Sequence, residues 1–312
     1  MRTYHNYTLE KIIFELQQEL SDLENKEIFE FSVINPDIAS STYNGTELLI
    51  DGKKSFYRGY KTWIELAQLL GCRMLTPKEL NATYIIIRYE KLNSDSSFHN
   101  VITDKEEKYG TDSIFTQIHK NEEASFIYYY LQALKNVNIK EKKRILNLGV
   151  NSGDEFEAII DFLQNTDNME FIGIDFCASA ISQAREKFSS YDNFTFIQHD
   201  INELNVLKLG EFDLIISIGT LQSSNLHYNT LLMSIVQNQL KRDGAMILGF
   251  PNCRWIDGEM VYGARVKNYN FSEMGLLYKD VIFAKKYLQQ KKFRVTLTGK
   301  DYVFLTATSI KK

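Results

Sequence analysis

Gly149 and Gly153 flank a short turn between two apolar stretches, and their spacing is the first in the chain that could do chemistry. Ile145 to Leu148 reads as a short buried strand, Gly149-Val-Asn-Ser-Gly153 as a turn, and the residues from about Glu155 onward as an amphipathic helix. Strand, glycine turn and helix in that order form a cradle for a nucleotide-type ligand. Gly149 permits a tight turn and close approach of backbone to ligand, Asn151 tolerates a positive φ, and Gly153 lets the helix start pack against the strand. The turn lacks the G-x-G-x-x-G spacing of dinucleotide sites and the Gly-Lys-Ser/Thr of a phosphate loop. Asp154 and Glu155 also stand where a pyrophosphate would lie at the helix N-terminus, and two carboxylates there would repel it. A ligand carrying an adenosine and a positively charged centre fits better.

Further motifs follow in order. Glu170-Phe-Ile-Gly-Ile174 reads as a second strand ending in Asp175 and Phe176, and Phe194 to Gln198 as a third leading to Asp200 and Ile201. Phe212-Asp-Leu-Ile-Ile-Ser217-Ile218-Gly219 reads as a fourth, and Leu240 to Phe250 as the end of a helix, a turn at Gly244 and a fifth strand. In this order the segments resemble the motifs of the class I S-adenosylmethionine-dependent methyltransferases, over roughly residues 140 to 308. The resemblance implies an α/β fold: a Rossmann-like, seven-stranded, mostly parallel sheet with helices on both faces. It also implies S-adenosyl-L-methionine as cofactor. By the same resemblance the cofactor-binding residues are Asn147, Gly149, Asn151 and Gly153 in the cradle, Asp175 and Phe176 at the second strand's end with Asp175 on the ribose hydroxyls, Asp200 and Ile201 at the third with Asp200 on the adenine, and Ser217, Ile218 and Gly219 at the fourth. Asn147 brings no charge to the cofactor's ammonium, which leaves the amino-acid end to other residues. The family usually has an acid at the position of Asn147 and a glycine at that of Asn151. Phe293 to Thr298 and Tyr302 to Ala307 resemble its sixth and seventh strands, and no residue is assigned as metal ligand.

The elements that must position these residues alternate. Strands are separated by helical stretches at 158–163, 179–188 and 229–240, and such alternation means a parallel sheet with helices on both faces. Gly149, Asp175, Asp200 and Gly219 then share the carboxyl ends of the strands, where ligands of such sheets bind. Before the first strand, a helix is expected from about Glu122 to Asn136 with Asn121 as N-cap. By the resemblance, the preceding segment lies over the cofactor as a lid, with Tyr109, Gln117, His119 and Lys120 as its candidate contacts. After Phe250 an insertion at about 251–273 has too many glycines and aromatics for a regular element. It offers Arg254, Trp255, Glu259, Tyr262 and Arg265, together with Asn252 and Lys267, as substrate-pocket candidates. A helix from Leu276 to Gln290 follows.

The N-terminal part reads as a small α+β accessory domain over residues 1–108, leaving 109–312 for the methyltransferase-like domain. Leu9, Ile12, Ile13, Leu16, Leu20 and Leu23 share one face of a helix. Asp51-Gly52 between two short runs signals a hairpin, Thr62-Trp-Ile-Glu65 matches a capping box, and Tyr84 to Tyr89 reads as a buried strand.

With 44% hydrophobic and 24% charged residues the composition is that of an ordinary globular protein. A net charge of -4 and a pI near 5.8 argue against wholesale nucleic-acid binding. Cys72, Cys177 and Cys253 stand apart without metal-ligand spacing, which suits a reduced, cytoplasmic setting, and no apolar run has the length of a membrane span.

A sulfonium methyl is already activated, so no catalytic triad is demanded, and the catalytic residues stay unassigned. Glu259, Tyr262, His119 and His227 are the candidate general bases. Cys253 follows the fifth strand where the nucleophile of RNA cytosine methylation lies in related enzymes, but the simpler reading is a small buried cysteine. Three readings result. The first is methyl transfer to a small-molecule or modified small acceptor. The second is methylation of transfer or ribosomal RNA held by the N-terminal domain. The third is a non-catalytic cofactor-binding or assembly protein. A membrane partner is not expected, and self-association into a homo-oligomer is compatible with the sequence.

Overall fold

The computed structural model describes residues 1–96, 117–223, 225–263 and 274–310. The chain divides into two compact units. One comprises residues 1–100 with 255–262, the other 101–254 with 263–312.

In the first unit, β1 (Arg2–Thr3) leads to α1 (Leu9–Asp22), β2 (Ile28–Ile34), the hairpin β3 (Glu47–Ile50) and β4 (Lys53–Phe56), α2 (Tyr60–Leu69), β5 (Cys72–Glu79) and β6 (Tyr84–Lys91). The sheet has the order β1-β2-β6-β5. Ile12, Leu16 and Leu20 of α1 and Trp63, Leu66 and Ala67 of α2 bury against Phe31, Val33, Ile85, Ile87 and Tyr89 of the sheet. The helical face read from the sequence is therefore the one that packs. Asp51 and Gly52 both adopt positive φ, 52° and 74°, as a two-residue hairpin turn requires.

Three details depart from the sequence reading. Gly59, not Thr62, caps α2: the Thr62 amide bonds to the Gly59 carbonyl, and Asn44 Oδ1 accepts the Gly59 amide at 2.8 Å, starting the helix earlier. Strand β5 escapes a propensity reading because Pro77 interrupts it; it is an edge strand whose register shifts between Leu75 and Lys78, the place where a sheet tolerates proline. β2 escapes it too; its pairing with β6 along its own whole length, Ile28 to Ile34, decides it.

In the second unit, α3 (Ala124–Asn136), β7 (Arg144–Leu148), α4 (Asp154–Leu163), β8 (Glu170–Asp175), α5 (Ala178–Lys187), β9 (Phe194–Gln198), β10 (Phe212–Ile218), α6 (Tyr228–Asn238) and β11 (Leu240–Pro251) follow in order. After the hairpin β12 (Cys253–Ile256) and β13 (Glu259–Tyr262) come α7 (Gly275–Gln290), β14 (Phe293–Gly299) and β15 (Tyr302–Ser309). The seven-stranded sheet has the order β14-β15-β11-β10-β7-β8-β9. β15 runs antiparallel to both its neighbours, and the pairs from β11 to β9 are parallel. Phe126, Tyr130, Phe156, Ile159, Ile181 and Ala184 from α3, α4 and α5 pack on one face. Leu232, Ile235, Val281 and Leu288 from α6 and α7 pack on the other.

The boundary between α6 and β11 differs from expectation. The helix ends at Asn238, and Leu240 is already paired with Phe212 in the sheet, so Gly244 lies inside a long strand rather than in a turn. Asn121 does not cap α3, which starts at Ala124 after Glu123; its amide donates to the Asp154 carbonyl instead.

The insertion is more regular than its composition suggests. β12 and β13 pair around Asp257 and Gly258, at φ 51° and 82°, the same Asp-Gly turn chemistry as at Asp51-Gly52. Its tip, residues 255–262, folds with the first unit and not with the domain from whose chain it emerges. Ile256 and Val261 bury against Leu92, and Asp257 binds Arg73 and Lys26.

Candidate functional site

The carboxyl ends of β7, β8, β9 and β10 lie side by side because their registers pair Leu148 with Ile174, Asp175 with Gln198, and Ile216 with Asn147. Past Leu148 the chain turns sharply. Gly149 takes φ 77°, Asn151 φ 45° and Gly153 φ 93°, and the amides of Gly149 and Val150 both donate to the Ile174 carbonyl. The tolerance of Asn151 for positive φ is thus used. At Gly149 a side chain is excluded by the protein itself, since a Cβ would fall 1.8 Å from Thr220 Oγ1. At Gly153 the neighbour is the Phe188 ring, 2.5 Å from where a Cβ would stand, rather than the preceding strand as the sequence suggests. The turn therefore packs against α5's end.

Asp175 joins the first two strand ends. Its Oδ2 accepts the Asn151 amide at 2.9 Å and its Oδ1 the Cys177 amide at 3.0 Å. Burial raises its carboxyl above the ordinary value, and the amides of Cys177, Asn151 and Phe176 with the Lys120 charge offset only part of that. Each oxygen keeps lone-pair capacity beyond these amides, which suits an acceptor for a diol. The Asp175 carbonyl accepts the His199 amide at 2.9 Å, linking the third strand's end, while Phe176 stands about half exposed beside it.

Behind the turn lies a network that the sequence reading misses. Glu155, in the first turn of α4, is 1% exposed and accepts from Lys120 Nζ at 2.6 Å and from Asn147 Nδ2 at 3.3 Å. Asn147 is fully buried, and its Oδ1 has no hydrogen-bond partner among the described residues. Burial would lower the Lys120 pKa, but Glu155 first and then Asp154 outweigh it and hold the ammonium above its ordinary value. A signal was available, because Glu155 shares the face of buried Ile159, one helical turn on.

The other candidates lie at or just past the ends of β10 and β9. Ser217 gives its hydroxyl to the Leu148 carbonyl at 3.1 Å, and Ile218 is buried in the core. Gly219 turns at φ 75° with its amide on the Gly249 carbonyl. Asp200 accepts the Asn202 amide at 2.9 Å and caps the short 3-10 helix 201–207, whose Ile201 packs into the core.

Of the expected lid contacts, Lys120 reaches the cradle, Gln117 and His119 are exposed, and Tyr109 lies outside the described residues. The substrate candidates divide between the two units. Trp255, Glu259 and Tyr262 belong to the first unit, with Glu259 Oε1 3.5 Å from Arg73 Nη1, while Arg254 donates to the Gly263 carbonyl at 2.7 Å. Arg265 and Lys267 fall outside the described residues. Cys253 is buried, which pushes its thiol up to about 12, so it is no ready thiolate.

A family model described as a methyltransferase domain matches residues 139–298. Carboxy-S-adenosyl-L-methionine synthase of Helicobacter pylori (strain Shi470) is 26% identical over 157 residues, 49% of this chain and 63% of that protein. The match thus covers less than two thirds of that relative's own length. Among solved structures, DszA carbon methyltransferase aligns with a TM-score of 0.50 at 14% identity over 68% of this chain and 62% of its own. N-methyltransferase NodS from Bradyrhizobium japonicum WM9, in complex with S-adenosyl-l-homocysteine, aligns with a TM-score of 0.43 at 15% identity over 60% of this chain and 89% of its own.

Proposed function

The chain belongs to the class I S-adenosylmethionine-dependent methyltransferase family, and from that premise we propose that it transfers a methyl group from S-adenosylmethionine to a small-molecule acceptor. One observation carries the reading. The buried carboxylate of Asp175, at the second strand's end, is held by the amide of Asn151 in the first strand's glycine turn. A carboxylate fixed against a positive-φ turn offers sugar hydroxyls an acceptor beside a tight backbone bend.

The residues present fit such a cofactor. Asn147 Oδ1 is a buried acceptor without a donor among the described residues, and Glu155 places a carboxylate beside it. Both suit a ligand with an ammonium group. When bound, S-adenosylmethionine supplies a methyl group activated by its sulfonium. The chain's own residues then have to orient and to exclude water, which is where most of the rate enhancement of such a site originates. Asp175 holds the ribose, the turn from Gly149 to Asn151 sets the nucleoside's depth, and Asp200 stands at the third strand's end for the adenine.

A small acceptor is supported by the net charge of -4, which gives little attraction for a phosphate backbone. The curated relative's name, a synthase of a modified S-adenosylmethionine, points the same way. Calorimetry with S-adenosylmethionine tests the cofactor: measurable binding is expected, weakened about tenfold or more in Asp175→Ala by loss of a charged acceptor. No binding, or binding indifferent to that change, overturns the reading. Comparison of metabolites from cells with and without the protein tests the acceptor, with a pair of masses one methylene apart as the expected result. Label from the methyl group appearing in RNA instead, with a steep salt dependence of RNA retention, moves the assignment to an RNA acceptor.

A further inference from the structure

Relatives of this family usually carry an acid at the end of the first strand, and here that position is Asn147. An amide brings no charge to meet a ligand's ammonium. The structure shows a carboxylate supplied from another element: Glu155 Oε2 stands 3.3 Å from Asn147 Nδ2, with Glu155 1% exposed in the first turn of α4. The helix N-terminus favours a negative charge there. Lys120 Nζ lies 2.6 Å from the other oxygen, Oε1, on a side chain 13% exposed.

We propose that Glu155 and Lys120 together clamp the zwitterionic end of the nucleoside, Glu155 with Asn147 Oδ1 receiving its ammonium and Lys120 its carboxylate. The inference rests on the assignment of the site to S-adenosylmethionine.

Two observations support it independently. Asn147 Oδ1 is buried and has no partner among the described residues, so an acceptor beside Glu155 awaits a donor. The charge balance around Lys120 is also uneven. Glu155, Asp154 and Asp175 all act on it, and Asp154 is shared with Lys187 Nζ at 3.6 Å. Glu155 and Asp175 against Lys120 leave one negative charge over; a zwitterion leaves that net charge unchanged but sets its ammonium beside the surplus carboxylate and its own carboxylate beside Lys120. A buried ion pair is a weak source of stability, because desolvating both ions offsets most of their attraction. A role toward a ligand explains its presence where stability does not. An amino acid inserted between the two side chains gives an alternating row of charges, each beside its opposite, and Lys120 no longer needs Glu155 for itself.

The test compares two nucleosides by calorimetry on the full chain. S-adenosylhomocysteine carries the amino acid, and 5′-methylthioadenosine lacks it. Wild type should prefer the former by about tenfold or more. Glu155→Gln and Lys120→Met should each weaken S-adenosylhomocysteine by about tenfold while leaving 5′-methylthioadenosine within about twofold, so that the preference vanishes. Asn147→Asp added to Glu155→Gln should bring it back, since the acid then stands at the strand end. If Glu155→Gln does not fold because Lys120 is left without a counter-ion, the neutral pair Lys120→Met with Glu155→Gln carries the same measurement. A folded variant that keeps the preference, or loses both nucleosides equally, overturns the clamp and leaves the family assignment intact. Wild type that binds neither nucleoside overturns both.

Discussion

Gly149 shows how little room the site leaves at the level of single atoms. A methyl group there would lie 1.8 Å from Thr220 Oγ1 and 2.6 Å from Thr220 Cβ, so rotating the threonine does not relieve it. The φ of 77° adds a cost of roughly 1–2 kcal/mol for any residue with a Cβ. Gly149→Ala should therefore lower the urea midpoint and abolish nucleoside binding. Thr220→Gly in the same chain should recover the part due to the clash and leave the part due to φ; full recovery would show that φ is not strained. The role of Gly149 in a tight turn is readable from its place after an apolar run, but its partner is not. Thr220 follows a strand far along the chain, and only the pairing of β10 beside β7 brings it near. Glu155 is the sharper case. As one of two acids at a helix start it reads as a source of repulsion, whereas Lys120 and Asn147 make it a bound carboxylate.

Elements place these residues by holding the strands in register at the end remote from the site as well. Asp213, near the start of β10, accepts from Lys241 Nζ at 2.8 Å and from the amides of Arg144 at 2.8 Å and Lys143 at 3.2 Å, tying β10 to the starts of β7 and β11. Burial alone would raise its carboxyl, but the Lys241 bond and the two amides together hold it below the ordinary value. The sign follows from linkage. With the folded-state pKa depressed, the carboxylate stabilises the fold at pH values above its unfolded-state pKa, and this contribution is lost as pH falls through the folded value. Asp213→Asn should unfold at lower urea than wild type at neutral pH, and the two midpoints should converge as the solution is made more acid than the ordinary aspartate value of 3.8. A gap that stays constant with pH would assign the effect to packing. At the same scale, alternation and periodicity predict the helices of the second unit to within a few residues, because their buried faces repeat with the helical period. They do not predict β5, whose proline is admitted by an edge position, nor the hairpin of β12 and β13, whose Asp-Gly turn lies in a stretch read only for its composition.

At the scale of the whole molecule the chain passes from one unit to the other more than once, for residues 255–262 fold with the first unit. Arg73 Nη2 donates to the Asp257 carbonyl at 2.6 Å and lies 3.1 Å from its carboxylate, and the Asn93 amide donates to the same group at 3.2 Å. Gln68 reaches the Met260 carbonyl at 3.4 Å. Segments far apart in sequence thus share one folding unit. Arg73→Ala and Asp257→Ala, combined in a double-mutant cycle on unfolding free energy, should show a coupling of about 0.5–3 kcal/mol; additive effects would mean that the hairpin is not bound there. The sequence by itself determined the α/β class, the order of the parallel strands' motifs and the glycine turn, because these depend on local period and on residues that permit a positive φ. Tertiary structure alone decided that Asn147 and Glu155 share one buried site with Lys120, that the Ser217 hydroxyl bonds to the Leu148 carbonyl, and that residues 255–262 fold with the N-terminal unit. Each of those is a pairing between distant segments, and burial and charge compensation act on what lies adjacent in space, which no local pattern records.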